Sequence, residues 1–180
     1  MYKRQSEQII DSDGMAAVSD VSRDGQNLLI TLAPKHQPDI YLYNVASKEI
    51  SQLTKYSGID VSGYFIDNER SMVFVSDRSG YANIYSKKLD IDAPAEQVVY
   101  HGRNNNSITA HRDYVAYSSR ESDNEFGANT FNIYLISTKT DYIRRLTAMG
   151  SRSISKRWAR SSYTELRSIV PSSPRAACTC

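Results

Sequence analysis

The stretch Met72-Val73-Phe74-Val75-Ser76-Asp77-Arg78-Ser79-Gly80-Tyr81-Ala82-Asn83-Ile84-Tyr85 sets the pattern for most of the chain. An apolar, β-branched run is followed by a polar turn ending in Ser79-Gly80, and then by a second run that opens Asn-Ile-Tyr. This is the signature of two strands joined by a hairpin. The second run recurs on both sides, as Asp39-Ile40-Tyr41-Leu42-Tyr43 and as Asn132-Ile133-Tyr134-Leu135, so the shared Ile positions lie 44 and 49 residues apart. The first run has counterparts in Leu28-Leu29-Ile30 and Tyr114-Val115-Ala116-Tyr117. After each Asp/Asn-Ile-Tyr run comes Gln52-Leu53-Thr54, Gln97-Val98-Val99 or Arg145-Leu146-Thr147, and then a glycine, Gly58, Gly102 or Gly150. A further strand-like segment opens each unit, around Ala17–Val21, Val61–Ile66 and Ser107–Ala110.

Four short strands in about 44 residues is the period of a propeller blade. The predicted fold is all-β, a β-propeller fragment of WD40-like four-stranded blades spanning residues 17–58, 59–102 and 103–150. Turn chemistry agrees with it. Arg23-Asp24-Gly25, Asp67-Asn68-Glu69 and His111-Arg112-Asp113 separate the first and second strands, and Asp-Gly supplies the positive φ of a tight hairpin. The third unit replaces the Ser79-Gly80 turn with a longer polar loop, Glu121 to Thr130, which accounts for its 49-residue spacing. Along the third strand, Ile40 and Leu42 point one way and Tyr41 and Tyr43 the other. Both faces are apolar because a blade is sandwiched between neighbours, so three blades are not expected to be a complete molecule.

Composition bounds the function. The 180 residues carry Lys+Arg 22 against Asp+Glu 20, a net charge of +2, with 40% hydrophobic residues. Residues 151–180 hold six of the basic residues and one acid, which leaves 16 basic and 19 acidic residues for residues 1–150, a net of −3. The basic balance thus belongs to the tail, and the body has no electrostatic footprint for nucleic acid. Thirteen Tyr could stack on single-stranded bases, but most recur at equivalent strand positions and read as core. No apolar run approaches the roughly 18 residues needed to span a bilayer.

The ends break the pattern. Met1-Tyr2-Lys3-Arg4-Gln5 lacks the apolar region of a signal peptide and reads as a translated adapter ahead of a partial leading segment, residues 1–16. After Gly150 no glycine remains and eight of thirty residues are Ser, which reads as a frameshifted or disordered tail. Cys178 and Cys180 both lie in that tail, one residue apart, a spacing poor for a disulfide or a metal site.

Catalytic and metal chemistry finds little support. The chain has no Gly-x-Ser-x-Gly elbow, phosphate-binding loop or paired Cys/His nucleophile. Asp11-Ser12-Asp13-Gly14 lacks the later ligands of a calcium loop, and His36, His101 and His111 fall in separate repeats. No metal, cofactor or catalytic residue is assigned. Asp77 is expected to cap a turn, and Arg78 to reach a neighbouring blade. The connections after the fourth strands, Ser57-Gly58-Ile59-Asp60 and Gly102-Arg103-Asn104-Asn105-Asn106-Ser107, fall on one rim and are read as loops. They mix a charge, amides and one aliphatic side chain, a composition suited to a protein interface. The expected partner-binding residues are Gly58, Ile59, Asp60, Arg103, Asn104, Asn105, Asn106 and Ser107, with the side chains of Arg103 and Asn105 expected outside the core.

The run Val73 to Gly80 with Asn83-Ile84-Tyr85 resembles the WD40-like repeat of the TolB family. So do Gln97 to Ser107, Tyr117-Ser118-Ser119-Arg120-Glu121, and Asn132 to Thr147, which are similar to TolB proteins of the Campylobacter and Helicobacter type. The resemblance covers residues 17–150. It implies a periplasmic, non-enzymatic protein of the Tol–Pal envelope system, with an N-terminal α/β domain and a six-bladed propeller that binds the Pal lipoprotein. It further implies contact with other Tol proteins through that N-terminal domain, and roles in outer-membrane integrity, division and protein import. The alternative from the residues is the substrate-gating propeller of a prolyl-oligopeptidase or tricorn-like peptidase.

Overall fold

The computed structural model describes residues 8–89, 92, 94–120, 130–140 and 142–147. The adapter-like start, nearly all of the Glu121–Thr130 loop, and the tail with both cysteines lie outside the described residues. Among the described residues twelve strands form three antiparallel sheets, each built from four strands consecutive in sequence. The first sheet is β1 (Ala16–Val21), β2 (Asn27–Leu32), β3 (Asp39–Asn44) and β4 (Ile50–Gln52). The second is β5 (Asp60–Ile66), β6 (Ser71–Ser76), β7 (Asn83–Lys88) and β8 (Glu96–Gln97). The third is β9 (Arg103–His111), β10 (Tyr114–Arg120), β11 (Phe131–Ser137) and β12 (Ile143–Arg145). No described helix is long and apolar enough to cross a membrane.

The period-2 pattern decides how the sheets stack. Leu29, Ile40 and Leu42 on one face of the first sheet meet Phe65, Met72, Phe74 and Tyr85 of the second. The other face of the second sheet carries Ile66, Val73, Val75 and Ile84, which pack on Ile108, Val115, Tyr117, Tyr134 and Ile136 of the third. Each seam therefore joins an aliphatic face to one that also carries aromatic rings. Ile40, Val73, Phe74, Ile84 and Val115 are fully buried, and each such side chain is worth about 1.5–3 kcal/mol of burial. Tyr41 and Tyr43 face the other way, with Ile30 and Leu32, and Ile10 lies against them.

A second device repeats at the start of the third strand of each sheet. In the first sheet the Thr54 hydroxyl accepts the Ile40 amide at 2.9 Å and donates to the Asp39 carboxylate at 3.1 Å. In the third, Thr147 does the same with the Ile133 amide at 2.9 Å and Asn132 at 3.1 Å. The second sheet has Val99 in place of the threonine, so the Asn83 side chain takes the Ile84 amide itself, at 2.8 Å. The backbone partner beside this position is constant: Leu53, Val98 and Leu146 donate to the carbonyls of Ile40, Ile84 and Ile133 at 2.7–2.8 Å.

The hairpins between first and second strands touch in succession. The Arg23 amide donates to the Glu69 carboxylate at 2.7 Å, and the Asp67 amide to the Arg112 carbonyl at 3.3 Å. Asp67, Asn68 and Glu69 have φ of 50°, 54° and 67°, a left-handed run that non-glycine residues rarely sustain. Its strain is offset by these inter-sheet bonds. The first strands are irregular too. The β1–β2 register shifts between Val18 and Asp20, β5–β6 between Val61 and Tyr64, and β9–β10 at two places on either side of Ser118.

Two substitutions test this framework. Thr54→Val should remove the hydroxyl that bridges the Ile40 amide and Asp39 and cost about 0.5–1.5 kcal/mol, read as a lowered urea midpoint. Gly102 has φ +68° and its absent Cβ would collide with the Ser119 hydroxyl, so Gly102→Ala should destabilise by more than ~1 kcal/mol in the same assay.

Candidate partner-binding rim

Eight residues were expected on the rim, and the structure divides them. Gly58 and Ile59 do lie in the connection between β4 and β5. Arg103 to Ser107 do not form a loop: they are the first five residues of β9, paired with β10 through Arg120↔Arg103 and Ser118↔Asn106. Two left-handed residues, Asn104 at φ 53° and Ser107 at φ 49°, absorb the register shifts and let the strand continue. An Asn-rich run favours turns by local propensity, but tertiary pairing wins here.

Burial corrects two further expectations. Asp60 and Asn105 are both fully buried. They are equivalent residues: the Asp60 amide donates to the Pro38 carbonyl at 3.1 Å, and the Asn105 amide to the Ala82 carbonyl at 2.8 Å. Each thus ties the first strand of one sheet to the residue before the third strand of the preceding sheet. The Asn105 side chain donates to Asn83 at 3.0 Å and to the His101 carbonyl at 2.9 Å. Asp60 accepts two bonds from Arg78, at 2.8 and 3.1 Å. Both side chains belong to the seams and not to an exposed surface. Asn106 is half-buried and accepts the Ser118 hydroxyl at 2.7 Å.

Arg78 and Asp77 are structural, as their place at a strand end suggests. The Asp77 carboxylate accepts the Ile59 amide at 2.9 Å and fixes that connection. A Cβ on Gly58 would strike this carboxylate and the Tyr56 ring, so the chain passes there as glycine. The Arg78 guanidinium packs 5.0 Å from the Tyr56 ring, 5.4 Å from Phe74 and 4.9 Å from Tyr85. Tyr56 leaves the first sheet, so Arg78 does reach toward a neighbour while it neutralises Asp60 on its own sheet. In the next seam a His replaces this arrangement. His101 Nε2 lies 2.5 Å from the Tyr117 hydroxyl, with its ring 4.8 Å from that of Tyr134. Burial pushes the Tyr117 phenol well above its usual range, with Tyr134 adding to the shift. Among the described residues no group of three His, Cys, Asp or Glu side chains could hold a metal ion.

Exposed groups remain along this edge, where β5, β7 and β9 begin and β6 and β10 end. Ile59 is 48% exposed, Arg103 is exposed, and Tyr81 is 37% exposed with the Arg103 guanidinium 5.8 Å from its ring centre. Sequence reading missed Tyr81. Its signal was there, a lone aromatic directly after the Gly80 turn rather than at a strand position. An aliphatic chain, a phenol and a guanidinium together have the composition found at protein interfaces.

Residues 1–130 match the family model described as the TolB beta propeller domain. The chain is 54% identical over 150 residues to the Tol-Pal system protein TolB of Wolinella succinogenes, covering 83% of this chain and 36% of that protein. It is 53% identical over 151 residues to the protein of the same name from Helicobacter pylori, covering 84% of this chain and 36% of that one. The chain thus spans about a third of the length of these relatives. Among solved structures, TolB from Acinetobacter baumannii aligns with TM-score 0.61 at 22% identity, over 76% of this chain and 32% of that chain. The tricorn protease aligns with TM-score 0.56 at 14% identity, over 74% of this chain and 13% of that one, a likeness of fold alone. The repeat is therefore shared with peptidase propellers, whereas the residues that fill it are shared with the Tol–Pal proteins, and the chain belongs to the TolB β-propeller family.

Proposed function

We propose that this chain is a non-enzymatic docking segment of the Tol–Pal envelope system, which binds the Pal lipoprotein through the edge formed by Ile59, Tyr81 and Arg103. The observation that carries this reading is the contrast along that edge. Asp60 and Asn105 are consumed by the seams, while an aliphatic, an aromatic and a guanidinium group stay exposed beside them. Tyr and Arg are the residue types that most often dominate binding energy at such surfaces. Family membership supplies the partner class, since the relatives are Tol-Pal system proteins.

In this reading the protein works in the periplasm and supports outer-membrane integrity, constriction of the envelope at division and protein import. Contact with other Tol proteins is part of the same proposal and rests on family membership alone. The rigid sheets hold the edge in place, and no bond is made or broken. Gly58, Asn104, Asn106 and Ser107 shape the backbone around the contact groups.

Calorimetric titration of the chain with Pal at matched salt tests the assignment. Arg103→Ala and Tyr81→Ala should each weaken binding by roughly 1 kcal/mol or more with unchanged circular dichroism. Asn105→Ala should instead lower stability, because it removes a buried bond across a seam. Unaltered affinity for both edge variants would reject the site.

A further inference from the structure

The second seam is hollow at a place where the first is filled. Along β3, Ile40 and Leu42 both pack into the first seam; along β7 the equivalent residues are Ile84 and Ser86. A hydroxymethyl group in place of an isobutyl group leaves space beyond Ile84, and a cleft of about 970 Å³ opens there between the second and third sheets. Its floor is apolar, formed by the buried Ile66 and Ile136 with Val98 beside them. The Ser86 and Thr138 hydroxyls stand on its walls. An apolar floor with a few polar groups around it is the usual form of a small-ligand site.

The edge of β7 beside this cleft is also unfinished. In the first and third sheets the last residue of the third strand donates its amide to the returning chain, Asn44 to the Glu49 carbonyl at 2.9 Å and Ser137 to the Tyr142 carbonyl at 3.1 Å. Lys88 is the equivalent residue in the second sheet. Among the described residues its amide has no such acceptor, because β8 pairs only with Tyr85 and Ser86. The register Ser86↔Glu96 runs on to Pro94 opposite Lys88, and a proline has no amide with which to continue the ladder.

Charges at the mouth of the cleft are matched in pairs, with two exceptions. Lys139 is bound to Asp113 at 2.8 Å, Arg70 to Asp67 at 2.8 Å, and Lys87 lies 3.8 Å from Asp92. Lys88 and Glu96 are exposed and make no ion pair among the described residues. Glu96 faces Ser86 across the ladder, and Lys88 follows Ser86 by two positions, so all three side chains stand on the cleft side of the sheet. One wall thus presents an anion and a cation beside a single hydroxyl.

We propose that this cleft binds a short zwitterionic peptide with an apolar side chain. The peptide carboxylate accepts from the Lys88 amide and ammonium together, and its free amino group donates to Glu96. Its side chain fills the space beside Ser86, against Ile66 and Ile136. An acid alone would meet Glu96 and an amine alone would meet Lys88, so the wall favours a molecule that carries both charges. Diagonal neighbours on a sheet stand roughly 7–8 Å apart. Two or three extended residues, at about 3.3 Å each, span that separation. The cleft lies at the end of β7, whereas Tyr81 precedes its start, so this site is separate from the edge formed by Ile59, Tyr81 and Arg103.

Nitrogen-edited NMR titration of the full chain with the dipeptide Ala-Leu tests the site. The amides of Ser86, Lys88 and Ile136 should shift together on binding. Acetyl-Ala-Leu and Ala-Leu amide, which each lack one charge, should bind roughly tenfold more weakly or worse. Ser86→Leu installs the side chain that Leu42 already places in the first seam, so it should keep the fold by circular dichroism and lose the dipeptide. Lys88→Asn, which copies Asn44 of the first sheet, should weaken Ala-Leu by a similar factor and keeps the test decisive if Ser86→Leu does not fold. No shift at these amides, equal affinity for the blocked dipeptides, or undiminished binding by either folded variant would overturn the site.

Discussion

Neither face of these sheets can be left in water, and that constraint organises the rest of the structure. A four-stranded sheet with Ile40 on one side and Tyr43 on the other has no solvated face to turn outward. Stacking resolves it, face against face, and the stacking is registered by one backbone bond at each seam, from Asp60 to Pro38 and from Asn105 to Ala82. That bond sets the first strand of each sheet against its predecessor. The position of every exposed group on the rim follows from it, because Ile59 and Arg103 sit within two residues of the bonded amides.

Most of the strand pattern was legible because it rests on repetition. Asp/Asn-Ile-Tyr occurs three times, and each occurrence lies within the first four residues of a third strand, with the alternate residues pointing to opposite faces as their period requires. The start of β9 was not legible. Arg103 to Ser107 has the composition of a turn, and its extension depends on left-handed backbone at Asn104 and Ser107 that pairing with β10 imposes.

The candidate site was harder to read for the same physical reason. Gly58 and Ile59 stand where expected, but Asp60 looks in sequence like any polar loop residue. Its burial depends on Arg78, 18 positions away, which in turn is held among three aromatic rings. Asn105 is buried by Asn83, 22 positions away. Partners at such separations are set by the stacking of sheets and leave no local mark. Tyr81 illustrates the reverse case, a residue whose exposure follows from breaking the repeat rather than from obeying it.

The seams also bear on how such a chain can be rearranged. Each junction is carried by its own pair of side chains, so interchanging units changes which groups meet. A recombination that moved the first unit beside the third would set Asp39 against Asn105, and one that duplicated the second unit would set Asn83 against Asp60. The first mismatch supplies an amide donor; the second keeps a carboxylate that still has its own Arg78 within the same sheet. Both hybrids are electrostatically acceptable, so the charge pattern of these junctions tolerates shuffling of repeats.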